Sequence, residues 1–319
     1  MTRLRCAILD DYFNMTLQLA DWSKIEDRVD ITVFNEPFAS PEAAAGALKD
    51  FEIICAMRER TPFPPTLFAA LPKLKLLITS GMRNAAIDLE AAKEHRVVLC
   101  GTQSGRDPTA TLTMGLILEL TRHIGRENAR MHAGERLQKF IGLEIEGRTL
   151  GVVGLGKLGA KVSGLARAFG MNVIAWSPNL TPERCKEVGV GYVSKEELFS
   201  TADIVTIHVV LSQRSRGLVG PEDLARMKPS AYIVNTARGP IIDEAALLKA
   251  LQQGKIAGAG IDVYSVEPLP VDSPFRKLDN VVLTPHLGYV TGDSFRNHYS
   301  QMVEGIDAWF KGEPKQRLA

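Results

Sequence analysis

The sequence predicts an α/β protein built on two doubly wound, parallel β-sheets. Short apolar runs rich in β-branched residues alternate with helix-like segments along almost the whole chain. These runs are apolar on both faces, which is typical of parallel strands covered by helices on each side. The alternation falls into two series, which begin near Leu4 and Thr149, and 319 residues are enough for two domains.

The first series predicts one complete α/β unit followed by a long helix. Strands are expected at 4–9, 31–34, 53–56, 74–79 and 97–100. A helix should begin at Pro41, because Ser40 is a good N-cap and proline is favoured at the first helical position. Asp107 and Pro108 repeat this pattern and open one helix that extends towards residue 132. This helix would suit a domain or subunit interface as well as an ordinary core position.

The second series has the strand content of a dinucleotide-binding domain. Its six expected strands are TLGVVG, NVIAW, DIVTIHV, AYIVNT, GAGIDV and NVVLTP. Asp243 should cap one of the intervening helices, and Gly254 should end it. After Pro285 comes a last helix with an apolar face made of Phe295, Tyr299, Met302, Val303, Ile306 and Phe310. Because this helix follows the second series, we expect it to return and pack on the first domain.

Composition argues against several classes of function. The net charge is +1 and the basic residues are scattered, so we expect no nucleic-acid partner. The four cysteines lie far apart without a CxxC pair, which indicates reduced thiols and neither a disulfide framework nor a metal site. No apolar run is long enough to span a membrane, and the first residues do not resemble a signal peptide. A cytoplasmic protein is therefore expected.

A glycine-rich turn marks the expected cofactor site. Gly154, Gly156 and Gly159 form a GxGxxG that follows a predicted strand and precedes a predicted helix, with Lys157 and Leu158 between the second and third glycines. The first glycine permits the tight turn, the second lets a pyrophosphate approach the backbone, and the third lets helix and strand pack closely. The helix N-terminus would supply N–H groups to the phosphates.

The residue that should contact the ribose leaves the choice of cofactor open. An acidic residue at the end of the second strand of such a domain normally binds the 2′-hydroxyl of NAD, but Ser177 stands there. The missing carboxylate removes a charge that would repel the 2′-phosphate of NADP. It does not create the arginine clamp that a phosphate prefers. NAD and NADP both remain candidates.

Three later segments place chemically active side chains at the carboxyl ends of predicted strands, where ligands bind in open α/β sheets. Arg238 lies in NTARG, Glu267 in DVYSVEP and His286 in TPHLG. These motifs, with GLGKLG before them, resemble the D-isomer-specific 2-hydroxyacid dehydrogenase family. The resemblance covers nearly the whole chain. It implies a Rossmann-type cofactor domain (102–287) inserted into a flavodoxin-like substrate domain (1–101 and 288–319), and a homodimer.

The resemblance also implies roles for these residues. Arg238 would bind the substrate, Glu267 would orient His286, and His286 would be the acid/base. Asp262 would bind the nicotinamide carboxamide. Reduction of a 2-oxo acid needs a hydride at the carbonyl carbon and a proton for the developing alkoxide. An imidazole paired with a carboxylate suits the proton transfer, and a forked guanidinium suits a substrate carboxylate.

The same resemblance places the substrate loop in the first domain. Gly81, Met82 and Arg83 match a loop whose N–H groups hold the substrate carboxylate, and Arg58 matches its other edge. Many members carry a second glycine where this chain has Met82 and Arg83. The arginines near the expected cleft favour a small anionic substrate. For Arg83 and Arg60, an ordinary position on the solvated surface is an equally good interpretation. The substrate class expected is hydroxypyruvate, glyoxylate or 3-phosphoglycerate.

Two other functions would also suit parts of this sequence. One is a dinucleotide-gated binding protein of the co-repressor type, in which catalysis is vestigial. The other is oxidation of formate or phosphite on the same scaffold. Formate dehydrogenases generally have glutamine where Glu267 stands, which argues against that branch.

Overall fold

The computed structural model describes residues 3–319, which divide into two compact units. The first unit runs to Arg106 and resumes over Thr291–Ala319, and the second spans Asp107–Val290. Both predicted boundaries, after residues 101 and 287, precede these divisions by a few residues. The division by itself does not say which ligand each unit binds, so those assignments stay predictions.

The first unit is built around a five-stranded parallel sheet in the order β2-β1-β3-β4-β5. The strands are β1 Leu4–Ile8, β2 Val29–Val33, β3 Ile53–Ala56, β4 Leu76–Thr79 and β5 Val98–Gly101. The helices between them are α1 Thr16–Leu19, α2 Pro41–Leu48, α3 Pro65–Ala70 and α4 Leu89–Glu94. All five predicted strands are present. The predicted cap is also confirmed, because the Ser40 hydroxyl accepts a hydrogen bond from the Ala43 N–H at 3.2 Å.

The second unit contains a seven-stranded parallel sheet in the order β12-β11-β10-β9-β6-β7-β8. The strands are β6 Thr149–Val153, β7 Asn172–Trp176, β8 Gly191–Tyr192, β9 Ile204–Ile207, β10 Tyr232–Asn235, β11 Gly258–Ile261 and β12 Val281–Leu283. The helices are α5 Pro108–Arg122, α6 Ile124–His132, α7 Lys157–Ala168, α8 Pro182–Val188, α9 Lys195–Thr201, α10 Pro221–Arg226 and α11 Glu244–Gln252. Successive strands run outwards from β6 in both directions, so a ligand crevice is expected at the carboxyl ends of β6 and β9. The six predicted strands are all present.

The prediction of one continuous helix from Asp107 towards residue 132 is wrong. His123 adopts a left-handed backbone conformation, with φ of 54°, and separates α5 from α6. A left-handed residue cannot continue a right-handed helix. Asp107 makes no side-chain cap either. Its carboxylate instead lies 3.0 Å from the ammonium of Lys157.

The last helix, α12 Gly292–Phe310, belongs to the first unit, as predicted. It packs against α1, β4 and the short 3₁₀ helix at Trp22–Ile25. Five of the six residues predicted on its apolar face are buried, namely Phe295, Tyr299, Met302, Val303 and Ile306. The chain thus leaves the first unit, forms the second unit and then returns. Its final helix completes the apolar core of the first unit.

Three absences concern the residues that the structure describes, 3–319. The four cysteines are all buried and form no disulfide. No group of three or more histidine, cysteine or acidic side chains is arranged to hold a metal ion. None of the described helices combines the length and apolar character that crossing a bilayer requires.

Candidate active site

The glycine turn of the second unit joins β6 to α7, and its three glycines have different surroundings. Gly154 has φ of +103°, and a Cβ at this position would lie 2.8 Å from the backbone of His208. A Cβ on Gly159 would collide with the carbonyl oxygen of Gly154. A Cβ on Gly156 would meet nothing within 4 Å. The outer two glycines therefore serve packing, whereas Gly156 faces open space at the start of α7.

A cleft of about 460 Å³ opens beside this turn. Its lining comprises Gly154, Leu155, Gly156, Ser177, Pro178, Asn179, Leu180, Thr181, Arg184, His208, Val209, Val210, Ser212, Arg214, Ser215 and Leu218. Two features fit a bound dinucleotide, namely the open space above Gly156 and the buried Nδ1 of His208, which has no hydrogen-bond partner among the described residues. Burial lowers the pKa of His208 to about 3, so this ring is neutral at physiological pH.

The other two predicted residues of the turn have different surroundings. Lys157 begins α7 and pairs with Asp107 while most of its side chain stays exposed. Leu158 packs against the apolar core of the second unit. Neither is among the residues that line the cleft, so their direct contact with a cofactor stays a prediction.

Arg238 lies in a loop that the side chain of Asn235 organises at the end of β10. The Asn235 amide donates to the carbonyl of Arg238 at 3.0 Å, and its oxygen accepts from the Ala237 N–H at 3.0 Å. The next residue, Gly239, lies so close to the segment after β11 that a Cβ would overlap the backbone of Tyr264 and Ser265. The position of Arg238 is thus fixed against the loop that carries Glu267.

Glu267 and His286 form a direct pair. The Glu267 Oε2 lies 2.7 Å from the His286 Nδ1, and its Oε1 accepts a hydrogen bond from the Tyr264 N–H at 2.9 Å. Both carboxylate oxygens are therefore occupied, which fixes the orientation of the imidazole. The pair is partly accessible, with side-chain exposures of 20% for His286 and 32% for Glu267. Nε2 remains as the ring nitrogen for proton exchange.

The backbone of His286 is itself unusual. Its φ is 55°, a region that residues other than glycine rarely adopt. The conformation is held by hydrogen bonds from its N–H to the carbonyls of Asp262, at 2.9 Å, and Thr284, at 3.0 Å. Strained residues that their surroundings hold in place are concentrated at functional sites. The loop thus fixes the orientation of the imidazole, and the neighbouring hydrogen bonds offset the conformational strain of the backbone.

Asp262 provides most of that support. Its Oδ1 accepts from the Thr284 hydroxyl at 2.6 Å and the Leu287 N–H at 2.7 Å, and its Oδ2 accepts from the Gly288 N–H at 2.9 Å. Burial raises the pKa of this carboxyl, and the hydrogen bonds oppose the shift. The residue has no exposed surface. Its carboxylate acts here on the His286 loop, so a contact with the nicotinamide carboxamide would need that burial to open and stays a prediction.

Two tyrosines near the pair were not singled out in the sequence. The Tyr264 hydroxyl lies 2.9 Å from the carbonyl oxygens of both Ile261 and Thr284, and so links the ends of β11 and β12. The Tyr289 ring meets the His286 ring edge-on, with centroids 5.5 Å apart. Tyr264 lies within the DVYSVEP motif, which was its only signal. For Tyr289 the only signal was its place three residues after His286.

In the first unit, the structure brings Arg58 and Gly81 together. A Cβ on Gly81 would collide with the guanidinium of Arg58, and the Asn84 amide donates to the Arg58 carbonyl. Met82 and Arg83 are exposed next to them. The Gly81 N–H already donates to the Thr102 hydroxyl at 2.9 Å. If this loop binds a substrate carboxylate as predicted, the N–H groups of Met82 and Arg83 would make the contact.

This hydrogen-bond chain continues to a buried histidine. The Thr102 Oγ1 lies 2.6 Å from the Nδ1 of His298, and the same oxygen accepts a hydrogen bond from the Gly81 N–H. His298 is only 3% exposed. Burial, and to a smaller extent the charge of Arg58, lowers the pKa of His298 to about 4. The ring is thus neutral at physiological pH, and its hydrogen bond with Thr102 helps to hold the Gly81 loop.

We expect the first unit to lose stability below pH 6.5 because of His298. The unfolded chain takes up a proton near pH 6.5, whereas the folded chain resists it until about pH 4, so stability present above pH 6.5 is lost as the pH falls. The loss should reach about 3 kcal/mol by pH 4. Urea unfolding at pH 7.5 and pH 4 measures it. His298→Asn, whose amide can either donate to or accept from Thr102, should reduce the difference; an unchanged difference would contradict the assignment.

Comparisons with known proteins agree on one family. Residues 114–288 match the family model for the NAD-binding domain of D-isomer specific 2-hydroxyacid dehydrogenases. D-3-phosphoglycerate dehydrogenase of Bacillus subtilis is 39% identical over 260 residues, which are 81% of this chain and 49% of the relative. Glyoxylate reductase of Korarchaeum cryptofilum is 33% identical over 299 residues, 91% of this chain and 90% of that one.

A solved structure gives the same result for the fold. Phosphoglycerate oxidoreductase of Vibrio cholerae o395 superposes with a TM-score of 0.92 at 32% identity, over 97% of this chain and 99% of that chain. This chain spans about half the length of the phosphoglycerate dehydrogenases that it matches. The glycine turn, the parallel sheets and the sequence relatives together identify this chain as a member of the D-isomer specific 2-hydroxyacid dehydrogenase family.

Proposed function

We propose that this protein transfers a hydride between NAD(P)(H) and a small 2-oxo or 2-hydroxy acid of D configuration. The observation that carries the proposal is the 2.7 Å pair between Glu267 and His286, held at the carboxyl ends of β11 and β12 in the unit that contains the glycine turn. A carboxylate that occupies one ring nitrogen leaves the other for general acid/base work. The alternative of a binding protein with vestigial catalysis requires no such arrangement.

The dinucleotide would supply the hydride, and the remaining work belongs to side chains of this chain. The start of α7 above Gly156 would hold the pyrophosphate, because the first N–H groups of a helix lack partners within the helix. His286 would give its Nε2 proton to the oxygen of the substrate carbonyl, and in the reverse direction it would accept the hydroxyl proton. Glu267 would stabilise the protonated imidazole. Arg238 would bind the substrate carboxylate and polarise the carbonyl.

The substrate class follows from charge and from the relatives. Arg58, Met82, Arg83 and Gly81 would form the substrate loop of the first unit, where two guanidinium groups favour an anion. The related proteins are named for 3-phosphoglycerate, glyoxylate and hydroxypyruvate. We therefore place the substrate of this chain among small 2-oxo acids of that size and charge.

The test follows the loss of absorbance of NADH and NADPH, in parallel, with glyoxylate, hydroxypyruvate, pyruvate and phenylpyruvate. Oxidation of D-3-phosphoglycerate is followed in the opposite direction. Turnover with at least one acid is the expected result. Tight dinucleotide binding without turnover on any of them would favour the co-repressor type of function instead.

The same proposal includes a cytoplasmic homodimer. Several large apolar side chains of α6 and the segment after it are exposed, namely Ile124, Met131, Leu137 and Ile141. Several exposed apolar side chains in one stretch of the chain favour an interface there. The four buried, unpaired cysteines suit a reducing compartment. We propose neither a nucleic-acid nor a membrane partner. Sedimentation analysis should give twice the mass of one chain, and Ile141→Asp together with Leu137→Asp should shift it to that of a monomer.

A further inference from the structure

The nucleotide cleft of the second unit carries positive charge where a cofactor's adenosine would lie. We propose that this cleft selects NADP(H) over NAD(H), with Arg184 and Arg214 binding the 2′-phosphate beside Ser177. The inference rests on the proposed function, because it names the cofactor of that same site. It concerns the choice between two cofactors that the family model and the sequence leave undecided.

The position of Ser177 follows from the backbone. The Gly154 N–H donates to the carbonyl of Trp176 at 2.9 Å, so the end of β7 lies directly against the glycine turn. When the pyrophosphate lies on that turn, the adenosine ribose reaches the end of the neighbouring strand. Ser177 is the next residue and lines the cleft. Its short hydroxyl leaves room there that an acidic side chain would fill.

Arg184 reaches the cleft from α8 and keeps most of its donors available. One of its terminal nitrogens pairs with Glu187 at 2.9 Å, and the two side chains are 43% and 66% exposed. Such exposed pairs contribute little and rearrange readily. Glu187 does not line the cleft, whereas Arg184 does. A guanidinium can hold one carboxylate and still present further N–H groups to a phosphate.

Arg214 lies on a turn that is fixed independently of its side chain. The Ser215 hydroxyl donates to the Val210 carbonyl at 2.7 Å and accepts from the Ser212 N–H at 2.7 Å. The Arg214 side chain is exposed and lines the same cleft as Arg184. The backbone is thus ordered before a ligand arrives, while the guanidinium can adjust to it.

The charge balance of the cleft decides between the cofactors. No aspartate or glutamate is found among the described residues that line it. An NAD-selective site uses a carboxylate to bind the ribose hydroxyls and to repel a 2′-phosphate. Here that carboxylate is absent, and two guanidinium groups are present to bind an anion. A 2′-phosphate would therefore form charge-assisted hydrogen bonds with these arginines, which a neutral 2′-hydroxyl cannot form.

Binding measurements test this without requiring turnover. Adenosine 2′,5′-bisphosphate and AMP differ only in the 2′-phosphate, so isothermal titration of the wild-type protein with each isolates its contribution. We expect the bisphosphate to bind about 10- to 100-fold more tightly, which is the strength of charge-assisted hydrogen bonds to one group. NADPH should show the same advantage over NADH. Equal binding, or tighter binding of AMP and NADH, would overturn the inference.

Matched variants identify the residues responsible. Arg184→Ala and Arg214→Ala should each lower the affinity for NADPH about 10-fold more than the affinity for NADH, while Arg216→Ala, an exposed arginine outside the cleft, should change neither. Ser177→Asp should reverse the preference, and the uncharged Ser177→Asn should not. A loss that is equal for both dinucleotides would refute the assignment of the arginines.

These outcomes separate the inference from the function on which it rests. A protein that selects NADPH but reduces no 2-oxo acid would contradict the proposed function and leave the cofactor assignment standing. A protein that reduces 2-oxo acids equally well with NADH and with NADPH would contradict the cofactor assignment and support the proposed function. Failure to bind either dinucleotide would overturn both.

Discussion

His286→Ala should lower the turnover number about 10²- to 10⁴-fold, which is the usual contribution of a positioned general acid. The Michaelis constant should change much less, because substrate binding is assigned to Arg238 and the substrate loop. The variant removes the only side chain of the pair that can give a proton to the carbonyl oxygen. Steady-state rates at saturating dinucleotide, with the best acid found for the wild type, measure the effect.

Two companion variants make this result specific. Glu267→Gln keeps the size of the side chain but removes the charge that stabilises the protonated imidazole, so we expect a smaller loss of turnover than in His286→Ala. His95→Ala removes an exposed histidine of the first unit and should leave turnover unchanged. Full activity in His286→Ala, with circular dichroism identical to the wild type, would remove His286 from the mechanism.

The strands were predictable because parallel strands buried on both faces leave a signal in every residue. The six strands predicted in the second unit and the five in the first are all present. Capping residues were predictable where their chemistry is local: Ser40 and Asp243 both accept N–H groups at the starts of α2 and α11. Asp107 makes no side-chain cap, and its carboxylate lies 3.0 Å from the ammonium of Lys157, fifty positions later. No local pattern can show that contact.

Features that depend on only one or two residues could not be predicted from the sequence. The left-handed His123 ends α5 inside a pattern that is otherwise helical. Strand β8 has only two residues, Gly191–Tyr192, too few to show any periodicity. Neither feature leaves a periodic pattern in the sequence from which it could be predicted.

The residues of the candidate site were predictable from the sequence, but the hydrogen bonds that connect them were less so. The motifs indicated Glu267 and His286, and the structure places them 2.7 Å apart. They did not show that Asp262 holds three groups of the His286 loop. Such support arises only when the ends of two parallel strands meet at one edge of the sheet. Its contributors look like ordinary strand-end residues in the sequence.

Gly239→Ala should damage both the stability and the activity of the second unit. The added methyl group would overlap the backbone of Tyr264 and Ser265, and backbone cannot swing aside as a flexible side chain can. The loop of Arg238 must then move away from the loop of Glu267. Overpacking of this kind costs about 1–3 kcal/mol of stability. A displacement of about 1 Å at the reacting groups costs about 10²-fold in rate.

Gly164→Ala is the matched control, because the same methyl group is added in the same unit. Gly164 lies within α7, and a Cβ there would meet nothing within 4 Å. Alanine should raise the free energy of unfolding by about 0.5–1 kcal/mol, since it favours the helix over the unfolded chain. Denaturant unfolding and steady-state rates of both variants would separate the effects. If Gly239→Ala kept wild-type turnover, the close approach of the two loops would not be what positions Arg238 relative to Glu267 and His286.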